Sequence, residues 1–181
     1  MKPLPIRKPI LTALRIGLPL LLTLAWLSFI FGNSLQTGVE SGEQSHKVYE
    51  IVNEVTKAVG IEKNITEHFI RKAAHFTEFA VLAILFCADA VCLKLVRERQ
   101  KLYFSIPILS SSSLICFICA SLDEILQHFS AGRGPRVTDV LIDTSGAVCA
   151  TALFILFFVL IRHIRKRRRN TAPAKSEVSS L

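Results

Sequence analysis

The sequence predicts an all-α membrane protein, a bundle of four transmembrane helices with an extra amphipathic helix in the first outer loop. Hydrophobic residues make up 51% of the 181 residues, and the mean hydropathy is +0.45. Four segments are long enough, or nearly so, to cross a hydrocarbon core, which takes about 20 helical residues. The net charge of +8 lies beside these apolar segments, so the composition does not indicate a nucleic-acid-binding protein. The five cysteines all fall within apolar runs and indicate neither a disulfide framework nor a zinc motif.

The predicted spans form one transmembrane domain over residues 10–161. The first span carries Arg15 near its start, and the arginine stem can reach back to the headgroups. Its exit lacks a clear small-x-small cleavage site, so we expect an uncleaved helix rather than a signal peptide. The four spans are about residues 10–31, 73–96, 102–127 and 137–161.

The connection between the first two spans, residues 32–72, contains the amphipathic helix. Its apolar residues recur at helical spacing and Gly60 is a natural stop, which predicts a helix over about residues 45–59. It either packs on the bundle or lies in the interface plane. The residues that set the spacing are Val48, Ile51, Val52, Val55 and Val59.

Lysine and arginine in the connections predict the orientation. They are concentrated in residues 1–9, between the second and third spans, and in residues 162–169. The positive-inside rule then makes both termini cytoplasmic if all four segments cross. Residues 162–181 are expected to be a basic, disordered tail that meets anionic lipid headgroups.

Unusual polar residues are concentrated where the predicted helices reach the outer surface. Alternating helix directions place the start of the second and fourth spans and the end of the third at one depth. An unpaired Asp near the bilayer centre costs about 2.5–3.5 kcal/mol, so these groups should face one another inside the bundle. The residues are Arg71, His75, Glu78, Asp123, Glu124, Gln127, Arg133, Asp139 and Asp143.

Such a cluster admits three functions. First, the arginines can bind a phosphate or carboxylate. Second, His75 can supply acid–base chemistry with Glu78 or Asp123. Third, the charged residues can form ion pairs that stabilise the helix packing and have no other role. A divalent metal on His75, Glu78, Asp123 and Asp139 is a less favoured alternative, because no second histidine stands at ligand spacing. No cofactor is therefore predicted.

Three motifs in order resemble the VanZ-like family of bacterial membrane proteins. They are ArgLysAlaAlaHisPheThrGluPhe (71–79), AspGluIleLeuGlnHisPheSerAlaGlyArg (123–133) and AspValLeuIleAspThrSerGly (139–146). The resemblance implies a small multi-pass protein of the bacterial plasma membrane and, from the family's namesake, a link to low-level teicoplanin resistance. The family pattern marks Arg71, His75, Glu78, Asp123, Glu124, Gln127, Arg133, Asp139, Asp143 and Gly146.

The function expected from these residues is binding of an anionic headgroup at the outer surface, and the resemblance implies that a lipid or cell-wall precursor bound there would alter glycopeptide susceptibility. Arg71 and Arg133 would hold the anion, and Asp123, Asp139 and Asp143 would orient them through bidentate pairs. The first alternative is an intramembrane enzyme acting on lipid-linked phosphate or acyl groups, with His75 and Glu78 as catalytic residues. The second is a scaffold without a ligand. Membrane lipids are the expected partners, and nucleic acid is not.

Overall fold

The computed structural model of the chain describes residues 7–60, 65–97 and 106–171. Every regular element in these ranges is an α-helix, which confirms the predicted all-α class. The start of the third predicted span and residues 1–6 and 172–181 lie outside the described residues. The helices are α1 (Arg7–Ser34), α2 (Gly38–Ala58), α3 (Glu67–Arg97), α4 (Ile106–His128) and α5 (Val137–Thr171).

Helix α3 is the centre of the bundle, since it packs against all four other helices and most extensively against α5. Five of the eight buried hydrophobic core residues are alanine or cysteine, and small residues let helix backbones approach closely within membranes. The core residues are Ile30, Phe79, Leu82, Ala83, Cys116, Ala120, Ala147 and Ala150.

Three of the described helices are long and apolar enough to cross a membrane, namely α1 over Ala13–Ser34, α3 over Glu67–Leu93 and α5 over Val137–Arg165. Large hydrophobic side chains such as Leu21 and Leu153 are exposed on their outer surface, as expected where a helix faces lipid. Helix α4 is not among the three, so a fourth crossing stays a prediction.

The amphipathic segment begins earlier than its apolar spacing indicated. Helix α2 starts at Gly38 because Thr37 and Glu40 form a capping box, in which each side chain accepts a hydrogen bond from the backbone N–H of the other residue. At the other end Gly60 has a φ of 75°, a left-handed conformation that glycine adopts readily and that stops a helix. The capping residues are polar and therefore do not appear in a hydrophobic pattern.

The expectation of a disordered tail over residues 162–181 is wrong in part, because α5 extends into this segment. The helix continues to Thr171, ten residues beyond its predicted end at residue 161 and into the segment 162–181. Arginine and lysine are good helix formers, so the basic run extends the helix after the apolar residues stop. Hydropathy therefore indicated where the apolar surface ends rather than where the helix ends.

Candidate functional site

The end of α1, the start of α3, the end of α4 and the start of α5 meet at one end of the bundle, here called the polar end. Ser34 on α1 donates a hydrogen bond of 2.5 Å to Asp123 on α4. Lys72 on α3 lies 2.5 Å from Asp139 on α5. The polar residues that the sequence placed at one depth therefore lie together in the structure.

Two aspartates are almost completely buried at the polar end, with exposures of 0% for Asp123 and 1% for Asp143. The Oδ1 of Asp123 accepts from Ser34 Oγ, and its Oδ2 accepts from Gln127 Nε2 at 2.9 Å. The Oδ1 of Asp143 finds no hydrogen-bond partner among the described residues. Both oxygens of Asp123 are therefore hydrogen-bonded, whereas Oδ1 of Asp143 has no such bond among the described residues.

Glu124 holds the connection between α4 and α5. Its buried carboxylate accepts a hydrogen bond from the backbone N–H of Arg136, just before α5 begins. In the same connection Gly132 adopts a φ of 78°, and the carbonyl of Ala131 accepts from Gly38 N at 2.9 Å. A Cβ on Gly38 would lie only 2.9 Å from the carbonyl oxygen of Gly132, so this contact depends on glycine. Glu124 therefore supports the backbone of the site.

The bidentate aspartate–arginine pairs expected from the sequence are not formed. Within residues 7–60, 65–97 and 106–171, no carboxylate oxygen lies within 4.0 Å of the guanidinium group of Arg71 or Arg133. Asp139 pairs with Lys72 instead, and both side chains are about a quarter exposed. Arg133 points its Nη1 at the carbonyl oxygens of Asn33 and Ser34, at 3.4 and 3.5 Å, where the end of α1 leaves carbonyls without helical partners.

The two arginines lie close enough for their positive charges to repel each other. The pKa of Arg133 is lowered from its usual value, first because the side chain is removed from water and next because the charge of Arg71 is close. Nearby carboxylates oppose this shift but do not reverse it. An anion placed between the guanidinium groups would relieve their mutual repulsion.

Two polar cavities open at this end, with volumes of about 140 Å³ and about 270 Å³. Arg71, His75 and Arg133 line both of them. Glu78 lines the smaller cavity, and Asp139 lines the larger. The two arginines and the histidine therefore form a wall that a ligand in either cavity would contact.

His75 and Glu78 lie close together on α3 but do not form a hydrogen bond. The distance between His75 Nδ1 and Glu78 Oε2 is 3.8 Å, which is too long for one. The other carboxylate oxygen of Glu78 accepts from Asn33 Nδ2 at 3.2 Å, and its backbone carbonyl accepts from Trp26 Nε1 at 3.0 Å. The pair predicted to be catalytic faces the smaller cavity.

The residues that could hold a metal differ from the set suggested by the sequence. His75, Asp123 and Asp143 each offer one ligand atom, and these atoms lie within 4.8 Å of one another. Asp139 is paired with Lys72, and Glu78 lies outside this group. The group combines residues from α3, α4 and α5.

An apolar groove of about 480 Å³ runs beside the smaller polar cavity, between α1, α2 and α3. Trp26 and Phe69 contribute to its walls. Its lining is continuous with that of the polar cavity, because both include Val48, Ile70, Ala74 and Glu78. The groove is not evident in the sequence, since its residues come from three separate segments.

Sequence reasoning also missed Asn33 and Ser34, which bind Glu78 and Asp123. The two residues directly follow the apolar run of the first span, where polar residues commonly mark the end of a transmembrane helix. The one indication in the sequence was their position along the first span, because it places them at the same depth in the membrane as the expected carboxylates.

This fold and site define a class of small helical proteins with membrane-type apolar helices and a polar cluster at one end of the bundle. The profile of the family described as VanZ/LLP1 matches residues 19–160, well over half of the chain. The chain therefore belongs to the VanZ-like family, and all three motifs fall within the matched region. No curated protein and no solved structure shows significant similarity to the chain.

Proposed function

We propose that the chain is an integral membrane protein of the cell envelope that binds the anionic, phosphate-bearing headgroup of a membrane lipid or lipid-linked cell-wall precursor. One observation carries this proposal: Arg71 and Arg133 line the same two cavities, and neither has a carboxylate within 4.0 Å in the described part of the chain. A guanidinium group presents a planar set of donors that matches a phosphate. Arginines that had only to fasten helices together would be paired with the carboxylates beside them.

The apolar groove supports a lipid rather than a free anion. A lipid that places its headgroup against Arg71 and Arg133 can place an acyl or prenyl chain in the adjoining groove of Trp26 and Phe69. Because such a chain already lies in hydrocarbon within the bilayer, the groove would contribute through van der Waals packing rather than through removal from water. The polar cavity would select the headgroup, and the groove would add affinity with little selectivity.

The proposal places the polar end at the outer surface of a bacterial plasma membrane, with all of α1, α3, α4 and α5 crossing and both termini cytoplasmic. The basic residues at the opposite helix ends support this orientation, as the positive-inside rule requires. Reporter fusions in the connection at residues 129–136 and at the C-terminus should report outside and inside, respectively. The same location for both reporters would contradict the topology.

Analysis of copurifying lipids tests the binding proposal. The wild-type chain, Arg71→Lys and Arg133→Lys would be purified in mild detergent, and the bound anionic lipid per chain would be quantified by mass spectrometry. Lysine keeps the charge but loses the planar donor arrangement, so both variants should retain much less lipid. Arg15→Lys, at the other end of the bundle, is the matched control and should retain the wild-type amount. Equal lipid in all four proteins would refute the site.

A second candidate function is an intramembrane enzyme that acts on lipid-linked phosphate or acyl groups. The observation that favours it is that His75 and Glu78, 3.8 Å apart, line the same cavity as the two arginines. Closure of that distance around a substrate would give an acid–base pair. His75→Gln should then abolish turnover of a copurifying lipid while binding persists, whereas a pure binding protein would leave the lipid chemically unchanged.

The link to glycopeptides is tested in cells. A teicoplanin-sensitive host would express the wild type, His75→Gln, Asp123→Asn or Arg133→Lys, and the membrane abundance of each protein would be measured alongside susceptibility. If the polar end is a binding site, the wild-type protein should protect the host from teicoplanin, and Arg133→Lys should not protect it even at normal abundance. Failure only in proportion to lost protein would instead support a scaffold, and no protection by the wild type would remove the glycopeptide part of the proposal.

A further inference from the structure

We propose that His75, Asp123 and Asp143 form a binding site for one divalent transition-metal ion. The three side chains come from α3, α4 and α5, and their ligand atoms lie within 4.8 Å of one another. Bonds of about 2.0–2.2 Å to a zinc ion require the three atoms to draw somewhat closer around it. Metal binding would thus join the three helices at the polar end.

Unsatisfied buried atoms point to this ligand independently of the clustering. Asp143 is 1% exposed, yet its Oδ1 finds no hydrogen-bond partner in the described part of the chain. The Nδ1 of His75 is likewise buried without a partner. Buried polar atoms are nearly always hydrogen-bonded or bound to an ion, and each exception needs an explanation. One metal ion between the three helices could satisfy Asp143 and the histidine together.

The charges also favour a cation. No lysine or arginine nitrogen among the described residues lies within 4.0 Å of the carboxylates of Asp123 or Asp143. Two carboxylates this close repel each other strongly in a site removed from water. A divalent ion would neutralise both of them. A proton held between the two carboxyl groups is the competing explanation.

The surroundings of Asp123 suit a metal ligand. Ser34 and Gln127 donate to its two oxygens and fix the orientation of the carboxylate. Hydrogen bonds of this kind to metal ligands commonly tune affinity. Each carboxylate oxygen has a second lone pair, so these bonds leave capacity for an ion.

The donor set indicates which ions would bind. One imidazole nitrogen with two carboxylate oxygens suits Zn²⁺ or Mn²⁺, whereas Ca²⁺ and Mg²⁺ prefer oxygen ligands alone. Three protein ligands leave at least one coordination position open. Because His75 also lines both polar cavities, an ion bound beside it would add positive charge next to Arg71 and Arg133.

Metal binding is measurable without lipid, so its outcome is independent of the headgroup proposal. The full chain, purified with a tag that contains no histidine, would be treated with EDTA, desalted and titrated with ZnCl₂, MnCl₂ or MgCl₂ in detergent. We expect one equivalent of Zn²⁺ or Mn²⁺ to bind and to raise the melting temperature. His75→Gln and Asp143→Asn should each weaken binding by at least about tenfold. Mg²⁺ should bind much more weakly than Zn²⁺ or Mn²⁺.

Asp89→Asn is the matched control, because Asp89 is another buried aspartate and accepts from Thr23 at 2.7 Å, away from the polar end. It should leave the affinity unchanged. Circular dichroism in EDTA would verify that each variant folds. If a variant does not fold, Co²⁺ substitution in the wild type decides: an absorption spectrum typical of nitrogen and oxygen ligands supports the site, and a thiolate band contradicts it. Binding of less than one equivalent, or equal binding by wild type, His75→Gln and Asp143→Asn, would overturn the inference.

Discussion

Ser34, the last residue of α1, donates a hydrogen bond of 2.5 Å to Asp123 of α4, although 89 positions separate them in the chain. Both residues are buried, and the backbone carbonyl of Ser34 in turn accepts from Ser130 Oγ at 2.9 Å. The end of α1 is thereby fastened to α4 and to the connection that follows it. This contact fixes the orientation of the most deeply buried carboxylate at the polar end.

Removal of this hydroxyl group should destabilise the bundle. Ser34→Ala leaves Asp123 Oδ1 buried without its donor, a loss that costs about 1–3 kcal/mol. Reversible unfolding in detergent would measure the change. Ser28→Ala is the matched control on α1, because the Ser28 hydroxyl is exposed and donates to the carbonyl of Leu24 within its own helix. Equal stability of the two variants would contradict the role given to Ser34.

Gly146 is required for the close packing of α3 on α5. A Cβ at this position would lie 2.2 Å from the backbone carbonyl oxygen of Phe76, and a backbone atom cannot move aside easily. Gly146→Ala should therefore destabilise the bundle by about 1–3 kcal/mol or more. Gly32→Ala, where a Cβ meets nothing within 4 Å, should be neutral or stabilising by up to about 1 kcal/mol. Unfolding measurements on both variants test this contrast, and a harmless Gly146→Ala would show that the helices pack less closely.

Lys72 and Asp139 should be coupled energetically. Their 2.5 Å contact joins α3 to α5, and partial burial makes it stronger than an ordinary surface pair. A double-mutant cycle with Lys72→Met and Asp139→Asn should give a coupling energy of about 0.5–3 kcal/mol. Arg71→Met in place of Lys72→Met provides the comparison and should show less coupling to Asp139. Coupling as large for Arg71 would mean that Asp139 orients the arginine, as the sequence first suggested.

The docking of α2 on α3 should weaken as pH rises. His46 Nδ1 lies 2.6 Å from Glu67 Oε1, and this hydrogen bond, followed by the charge of Glu67, raises the pKa of His46 above its usual 6.5. A raised pKa means that the contact stabilises fully below pH 6.5 and is lost as pH passes the raised value. Amide exchange in α2, corrected for intrinsic rates, should therefore accelerate above neutral pH. His46→Gln should remove this dependence, and His128→Gln on α4 should not. A dependence that persists in His46→Gln would assign it to another group.

The class of fold and the polar cluster were accessible from the sequence for a simple reason. Apolar runs of membrane length indicate the helices, and alternating directions bring the end of one beside the start of the next. Asp123 and Asp139 could therefore be placed at one depth without knowledge of any contact. Hydropathy could not predict where α2 begins, at the Thr37 capping box, or where α5 ends, at Thr171. Polar residues set both of these helix boundaries.

Side-chain partners were much less predictable. Depth along a helix is given by residue number, but rotation about its axis depends on how the helices pack. The sequence therefore paired aspartates with arginines, whereas the structure pairs Asp139 with Lys72 and Asp123 with Ser34. Among the described residues neither arginine has a carboxylate within 4.0 Å, and it is this that favours an anionic ligand.

We propose that Arg71 and Arg133 together hold a phosphate-bearing headgroup. The most direct test is the dissociation constant of the purified chain for short-chain phosphatidic acid in detergent, with a phosphatidylcholine of equal chain length as the reference. The wild type should prefer phosphatidic acid, and Arg71→Lys or Arg133→Lys should weaken that preference by about tenfold or more, since a hydrogen bond to a charged group contributes about 1.5–3 kcal/mol. Equal affinity for both lipids, or a preference that both variants retain in full, would contradict the account.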